Sequence, residues 1–304
     1  MNILEVKDVK KQLGKREIIK GISFNVKQGE IFGFLGPNGA GKTTTIRMLV
    51  GLISPNSGII KIDGYDIKGE REQALNAVGA VVENPELYTY LSGRENLMQI
   101  ARIRGISKAY VEEIIELVEL KDRIGDKVKK YSLGMKQRLG LAAALIVKPK
   151  LLILDEPTNG LDPTGIMDFR KIVRKAAHET NTSVFISSHI LSEVQTLCDT
   201  VAFINNGVIQ SVESINGGIV KENTETIILS VKEIEKCKEI LKNLNYIQGI
   251  SFKEDVFKLI IDKNSISEII FKLAENKIHI EEVYKKHVEL EDRYLEIVEG
   301  GKVV

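Results

Sequence analysis

Nine residues, "GPNGAGKTT" from Gly36 to Thr44, restrict the fold of this 304-residue chain more than any other stretch. They match G-x-x-x-x-G-K-T directly after the apolar "IFGFL" and directly before the helical pattern "TTTIRMLVGL". A strand running into a glycine loop and then a helix is a phosphate-binding arrangement. Gly36, Gly39 and Gly41 let backbone N–H groups curl around phosphate oxygens, with Pro37, Asn38 and Ala40 completing the loop. Lys42 supplies a mobile positive charge for the β- and γ-phosphates. The Thr43 hydroxyl is placed for Mg²⁺, and Thr44 continues the lining at the helix start. Such a unit calls for a largely parallel sheet with helices on its faces.

The partner for that loop lies far downstream. In "LLILDEPTNGLDP" an apolar run buries a strand, Asp155 emerges at its end to hold Mg²⁺ through water, and Glu156 follows as general base or water-orienting residue. "VFISSHI" reads as a third strand ending in His189, at the sheet edge where ligands gather, so a γ-phosphate contact is expected of it. A further segment, "KYSLGMKQRLGLAAALIVKP", puts a Ser and a Gly at the start of another helix. Its free N–H groups and dipole also favour an anion. One phosphate loop does not need a second such helix end within the same chain.

Composition narrows the partners. The net charge of +1 argues against a general nucleic-acid binder, and no basic patch stands out. "MNILEVKDVKK" has no apolar signal core, and "LGLAAALIV" is too short to span a bilayer. The chain reads as soluble and intracellular, any membrane spans being supplied by another subunit. Cys198 and Cys237 lack metal-ligand spacing and read as reduced, buried thiols.

The organisation expected is an ATPase domain over 1–212, with antiparallel N-terminal strands and an inserted helical subdomain at about 86–147. A polar linker at 213–225 and a small α+β domain at 226–304 follow. In the last part "TIILSV", "IQGISF", "VFKLIID" and "IHIEEVY" look like strands, and Lys232–Leu244 and Ser265–Asn276 like helices, a β-α-β-β-α-β order. This part carries no phosphate loop and no acid–base constellation. A role in assembly or coupling is expected of it.

Taken together, the motifs resemble the nucleotide-binding subunits of ABC transporters, over about residues 2–212. The resemblance implies a phosphate-loop ABC cassette, ATP and Mg²⁺ as ligands, and Mg²⁺ held by Thr43, Asp155 and the residue at Glu83. It also makes "YSLGM" a variant of the family signature, usually LSGGQ, with Ser132, Leu133, Gly134 and Met135 reaching the ATP of another subunit. Asp162 becomes the key carboxylate of the loop after the catalytic Glu, and His189 the switch histidine. Two cassettes would then pair head to tail, which gives the second helix end its purpose. The implied partners are a second copy or a related cassette, and a separate membrane permease.

This sequence departs from the family pattern at two positions. Leu13 stands where an aromatic residue usually stacks on adenine, leaving only apolar contact, and Glu83 stands where a Gln usually ends the strand in "VVENPELY". Glu83, the signature variant and the C-terminal part together resemble the ATPases of bacitracin-resistance and lantibiotic-immunity exporters. That implies export of an antimicrobial peptide or drug, from a place on the inner face of the cell membrane. The alternative is a soluble ABC ATPase acting on a ribosome or nucleic acid. Such proteins usually carry paired cassettes or coiled-coil arms, and this sequence has neither. A kinase with the same phosphate loop would leave "YSLGM" and "SSHI" without a role.

Overall fold

Alternating apolar and polar residues open the computed structural model as a twisted hairpin. β1 (Asn2–Leu13) and β2 (Arg16–Lys27) pair antiparallel and bury Leu4, Val6, Ile19 and Ile22 on one face. The structure describes residues 1–215, 224–242, 244–253 and 256–285. After the hairpin, β3 (Ile31–Leu35) is buried along its whole length, as its unbroken apolar run requires. The phosphate-loop segment then leads into α1 (Lys42–Leu49). β4 (Ser57–Ile62) and β5 (Tyr65–Asp66) join the hairpin sheet, and α2 (Arg71–Asn76) leads to β6 (Val78–Val81).

The expected helical insertion is α3 (Gly93–Arg104), α4 (Lys108–Leu117) and α5 (Leu133–Leu145). Ser92 starts α3 with a reciprocal cap: its hydroxyl accepts from the Glu95 N–H while the Glu95 carboxylate accepts from the Ser92 N–H. The chain returns through β7 (Leu151–Asp155), α6 (Pro163–Thr180), β8 (Ser183–Ser188), α7 (Leu191–Leu197), β9 (Thr200–Asn205) and β10 (Val208–Ser214). The central sheet has the order β10-β9-β3-β8-β7-β6 and is parallel except for β10. Its first face is glued by rings. Phe24 from β2 stacks on Phe32 and Phe185, with centroids 5.5 and 5.7 Å apart, and Phe34 lies 5.3 Å from Phe185. Each such pair adds about 0.5–1.5 kcal/mol beyond area burial, so these rings fix β3 against β8 and with them the loops at their ends.

The chain forms two compact units, of which the first takes in Met1–Ile215. The second contains β11 (Thr224–Val231), α8 (Ile234–Lys242), β12 (Ile247–Lys253), β13 (Val256–Asp262), α9 (Ile266–Glu275) and β14 (Ile280–Lys285). Its sheet order, β12-β13-β11-β14 with every neighbour antiparallel, is the split β-α-β arrangement that the element order implies. Ile227, Leu229, Phe257, Leu259 and Ile261 point from the sheet onto Leu241, Ile269 and Leu273 of the helices, giving this unit its own core. β10 runs to Ser214 and β11 starts at Thr224, so both ends of the expected 213–225 linker fall on strand residues. Its part at 216–223, and the 286–304 end of the expected C-terminal domain, lie outside the described residues. Among the described residues no helix is long and apolar enough to cross a membrane, and both cysteines are buried and unbridged.

Candidate active site

Three neighbouring strands of the central sheet, β3, β8 and β7, deliver the chemistry from their carboxyl ends. At the end of β3, Gly36 runs so close to β9 that a Cβ there would stand 2.2 Å from the Ile204 carbonyl oxygen. Gly41 caps α1 at φ 111°, in the left-handed region, with no side chain capping the helix. The first N–H groups of α1 are thus left for an anion. Lys42 is 5% exposed, and its ammonium donates to the carbonyls of Gly36 (2.8 Å) and Pro37 (3.2 Å) and lies 3.1 Å from Glu156 Oε1. The other oxygen of Glu156 is 3.1 Å from His189 Nδ1. Lys42, Glu156 and His189 therefore form one contact chain across the strand ends.

Asp155 and Glu156 are held by a residue of the "SSHI" stretch to which the sequence reading assigns no role of its own. Parallel pairing sets Asp155 beside Ser187. The buried Ser187 hydroxyl donates to Asp155 Oδ1 at 2.7 Å and accepts from the Glu156 N–H at 2.9 Å. That second bond supports Glu156 at φ 44°, a backbone position costly for a residue with a Cβ. Burial pushes the Asp155 carboxyl up from its ordinary range, helped by the charges of Glu156 and Glu83 and opposed by the nearby hydroxyls of Ser187 and Thr43.

Next to it lies a cavity of about 220 Å³ lined by Thr43, Glu83, Asn84, Gln137, Asp155, Glu156 and Asn159. Asp155 Oδ2 and Gln137 Oε1 are both buried there without a hydrogen-bond partner. The orphaned oxygens, with the Thr43 hydroxyl and Glu83, make an all-oxygen donor set that suits a hard cation such as Mg²⁺. Among the described residues no cluster of three or more His, Cys, Asp or Glu could hold a metal by itself. Such a cation would draw further ligands from phosphate and water.

The other expected residues fall as follows. Asn38, Gly39, Gly41, Lys42, Thr43 and Thr44 line a cleft of about 270 Å³, while Ala40 is buried beneath the loop. Leu13 does not line that cleft: it stands half-exposed at the hairpin tip, paired with Arg16, and Arg16 and Ile18 line it in its place. β6 stops at Val81, so Glu83 follows the strand and does not end it. Glu83 has φ 60° and its carboxylate is ion-paired with Arg47 of α1. Ser132 caps α5, accepting from the Met135 N–H at 3.3 Å, and Leu133 is exposed beside it. Neither of these, nor Gly134 or Met135, lines the clefts at Lys42 and Asp155. Asp162 caps α6, its Oδ1 accepting from the Gly165 N–H at 2.9 Å. Arg16, Ile18 and Ser187 escape sequence reading because strand pairing, not spacing, brings them to the site. Gln137 was within sight, as the polar residue on the buried side of α5.

This fold and site define a phosphate-loop ATPase. A protein-family profile described as ABC transporter matches residues 19–159. The chain is 44% identical to the ABC transporter ATP-binding protein YhcH of Bacillus subtilis (strain 168), over 97% of this chain and 95% of that one. It is 39% identical to the bacitracin transport ATP-binding protein BcrA of Bacillus licheniformis, over 99% of each. The solved structure of an ATP binding subunit of an ABC transporter covers 70% of this chain and 90% of its own, at TM-score 0.64 and 30% identity. The chain belongs to the ABC transporter family, as an ATP-binding subunit that hydrolyses ATP, and its partner is a membrane permease.

Proposed function

We propose that this chain powers an exporter of an antimicrobial peptide or similar drug, working as a pair of cassettes on the inner face of the cell membrane. The observation that carries the paired-site reading is the separation of the two helix ends. The α1 end stands with Lys42, Glu156 and His189, whereas the Ser132–Gly134 end of α5 lines none of that site. A second copy is the simplest source of the missing half. The cargo reading rests on BcrA, aligned over almost the whole length, together with Glu83. Nothing in the site favours a ribosome or nucleic-acid partner.

In this reading Lys42 and the α1 end bind the phosphates, with Arg16 and Ile18 on the nucleoside side. Glu156 orients the attacking water and takes its proton, and His189 holds Glu156 in place and contacts the γ-phosphate. Mg²⁺, held by Thr43, Asp155 and Glu83, would neutralise charge developing on the phosphate oxygens. The permease docks in the cleft of about 580 Å³ between the sheet and the helical insertion, whose walls include Arg47, Leu52, Glu83, Leu87, Ile100 and Arg104. Glu83 and Asn84 line both this cleft and the Asp155 cavity, so the permease and the metal side share one wall. The second compact unit serves assembly or coupling.

The test is ATP binding, turnover and sedimentation with MgATP for two variants, then bacitracin tolerance of cells carrying the chain with its permease. Lys42→Ala should lose ATP binding. Glu156→Gln should bind ATP, turn over poorly and dimerise. Normal turnover by Glu156→Gln removes the catalytic assignment, and a Glu156→Gln chain that stays monomeric with MgATP beside its permease removes the paired-site reading.

A further inference from the structure

Glu193 is a carboxylate where the pattern of α7 calls for an apolar residue. It shares the inward face with Leu191, Val194 and Leu197 and is 6% exposed. Burying a carboxylate is costly unless it is well bonded, so its partners indicate what it does there. Glu193 Oε2 accepts from two hydroxyls, Thr158 Oγ1 at 2.7 Å and Ser188 Oγ at 3.0 Å. Both donors are buried, and they come from two different parts of the site.

Thr158 stands in the turn after Glu156, where the Asn159 N–H donates to the Glu156 carbonyl at 3.1 Å and the Leu161 N–H to the Thr158 carbonyl at 3.1 Å. Ser188 precedes His189, and its oxygen also accepts from the Ile190 N–H at 2.9 Å, so it holds the backbone that follows the histidine. The result is a continuous run of hydrogen bonds from Ile190 N–H through Ser188 and Glu193 to Thr158. Arg170 lines the same small cavity, and the other oxygen of Glu193, Oε1, is buried without a hydrogen-bond partner.

We propose that Glu193 is a positioning residue for ATP hydrolysis: it ties the turn after Glu156 to the strand end that carries His189, so that the two side chains keep their 3.1 Å contact through the cycle. The proposal rests on the catalytic reading of Glu156 and His189 given above. A single acceptor oxygen takes both hydroxyls, so the carbonyl of a glutamine can replace it, whereas an alanine cannot.

The experiment measures kcat, KM and nucleotide affinity for the parent, Glu193→Gln, Glu193→Ala and Glu156→Gln, with circular dichroism to establish folding. Glu193→Ala should lower kcat on the order of 10–100-fold, the scale of a small misplacement of reacting groups, while nucleotide affinity stays at the parent value. Glu193→Gln should recover most of the rate. A folded Glu193→Ala with the parent kcat overturns the proposal, and so does a Glu193→Gln as slow as Glu193→Ala. If Glu193→Ala does not fold, Thr158→Val and Ser188→Ala take its place. Each removes one of the two bonds and should lower kcat, and parent rates in both overturn the proposal. Glu156→Gln keeps the two readings apart: its normal turnover would remove the catalytic reading itself, while a dead Glu156→Gln beside a fully active Glu193→Ala removes only the positioning role.

Discussion

Ser187→Ala removes one oxygen atom from the end of β8, yet it strands two groups. The hydroxyl donates to Asp155 Oδ1 at 2.7 Å and accepts from the Glu156 N–H at 2.9 Å, and Ser187 is fully buried, so water cannot substitute easily. A buried polar group left unpaired costs about 1–3 kcal/mol, and more when its partner is charged, so the loss should be about 2–5 kcal/mol. For a unit of this size that corresponds to a fall in melting temperature of about 5–15 °C. Ser183→Ala is the internal control. Ser183 is equally buried on the same strand, but its hydroxyl only accepts from the Gly29 N–H at 2.9 Å, which predicts about 1 kcal/mol.

The pH dependence separates this account from simple loss of packing. The folded Asp155 carboxyl is raised chiefly by burial, so the unfolded chain gives up that proton first, and stability falls as pH rises through the folded pKa. Ser187 opposes the rise by favouring the ionised form. Its removal lifts the folded pKa further, so the extra loss grows as pH climbs through that range and shrinks below it. Urea unfolding followed by circular dichroism, at neutral and mildly acidic pH, measures both quantities. A Ser187→Ala penalty no larger than that of Ser183→Ala, or one equal at both pH values, would refute the reasoning.

Further outcomes are expected. Gly36→Ala forces a Cβ to within 2.2 Å of the Ile204 carbonyl, so the loop must shift, and a fluorescent ATP analogue should bind far more weakly even where circular dichroism shows a folded chain. Ser132→Arg, at an exposed helix end outside the Lys42 cleft, should leave ATP binding intact and lower steady-state hydrolysis of the paired cassettes; equal loss of both would place it in its own chain's site. Glu83→Gln gives up the ion pair with Arg47 but keeps the reach, so Mg²⁺ dependence of hydrolysis should change more than ATP affinity. Glu83→Ala should impair permease-dependent tolerance more than Glu83→Gln does, and a Glu83→Ala protein matching the parent in every assay would make Glu83 a surface acid.

What the sequence made legible was what neighbours in the chain decide. The strand before Gly36, the glycine loop and α1 read off directly, because a short buried run, glycine punctuation and a helical repeat are local properties. The same holds for β7 running into Asp155. Ser187 stayed hidden because its importance arises only when β8 lies in register beside β7, pairing it with Asp155. Leu13 sits at the hairpin tip outside the cleft, which Arg16 and Ile18 line because strand pairing, not spacing, brings them there. Asp162, the key carboxylate of the loop after Glu156 in the family resemblance, also caps α6 in this chain, which the Pro at the next position foreshadows.

The contact between Lys42 and Glu156 makes the attractor of phosphate and the activator of water each other's counter-ion. In the proposed cycle a phosphate drawn to this lysine competes with the carboxylate for the ammonium, and displacing it would leave the carboxylate beside His189. Arrival of nucleotide and arming of the base thus become a single ion swap. A lone inorganic anion would win one cation while parting a half-buried carboxylate from its own, a cost that a triphosphate, with charge to spare and a metal to share, would offset. On this reading the site would favour a polyanion through internal competition, ahead of any contact with the base.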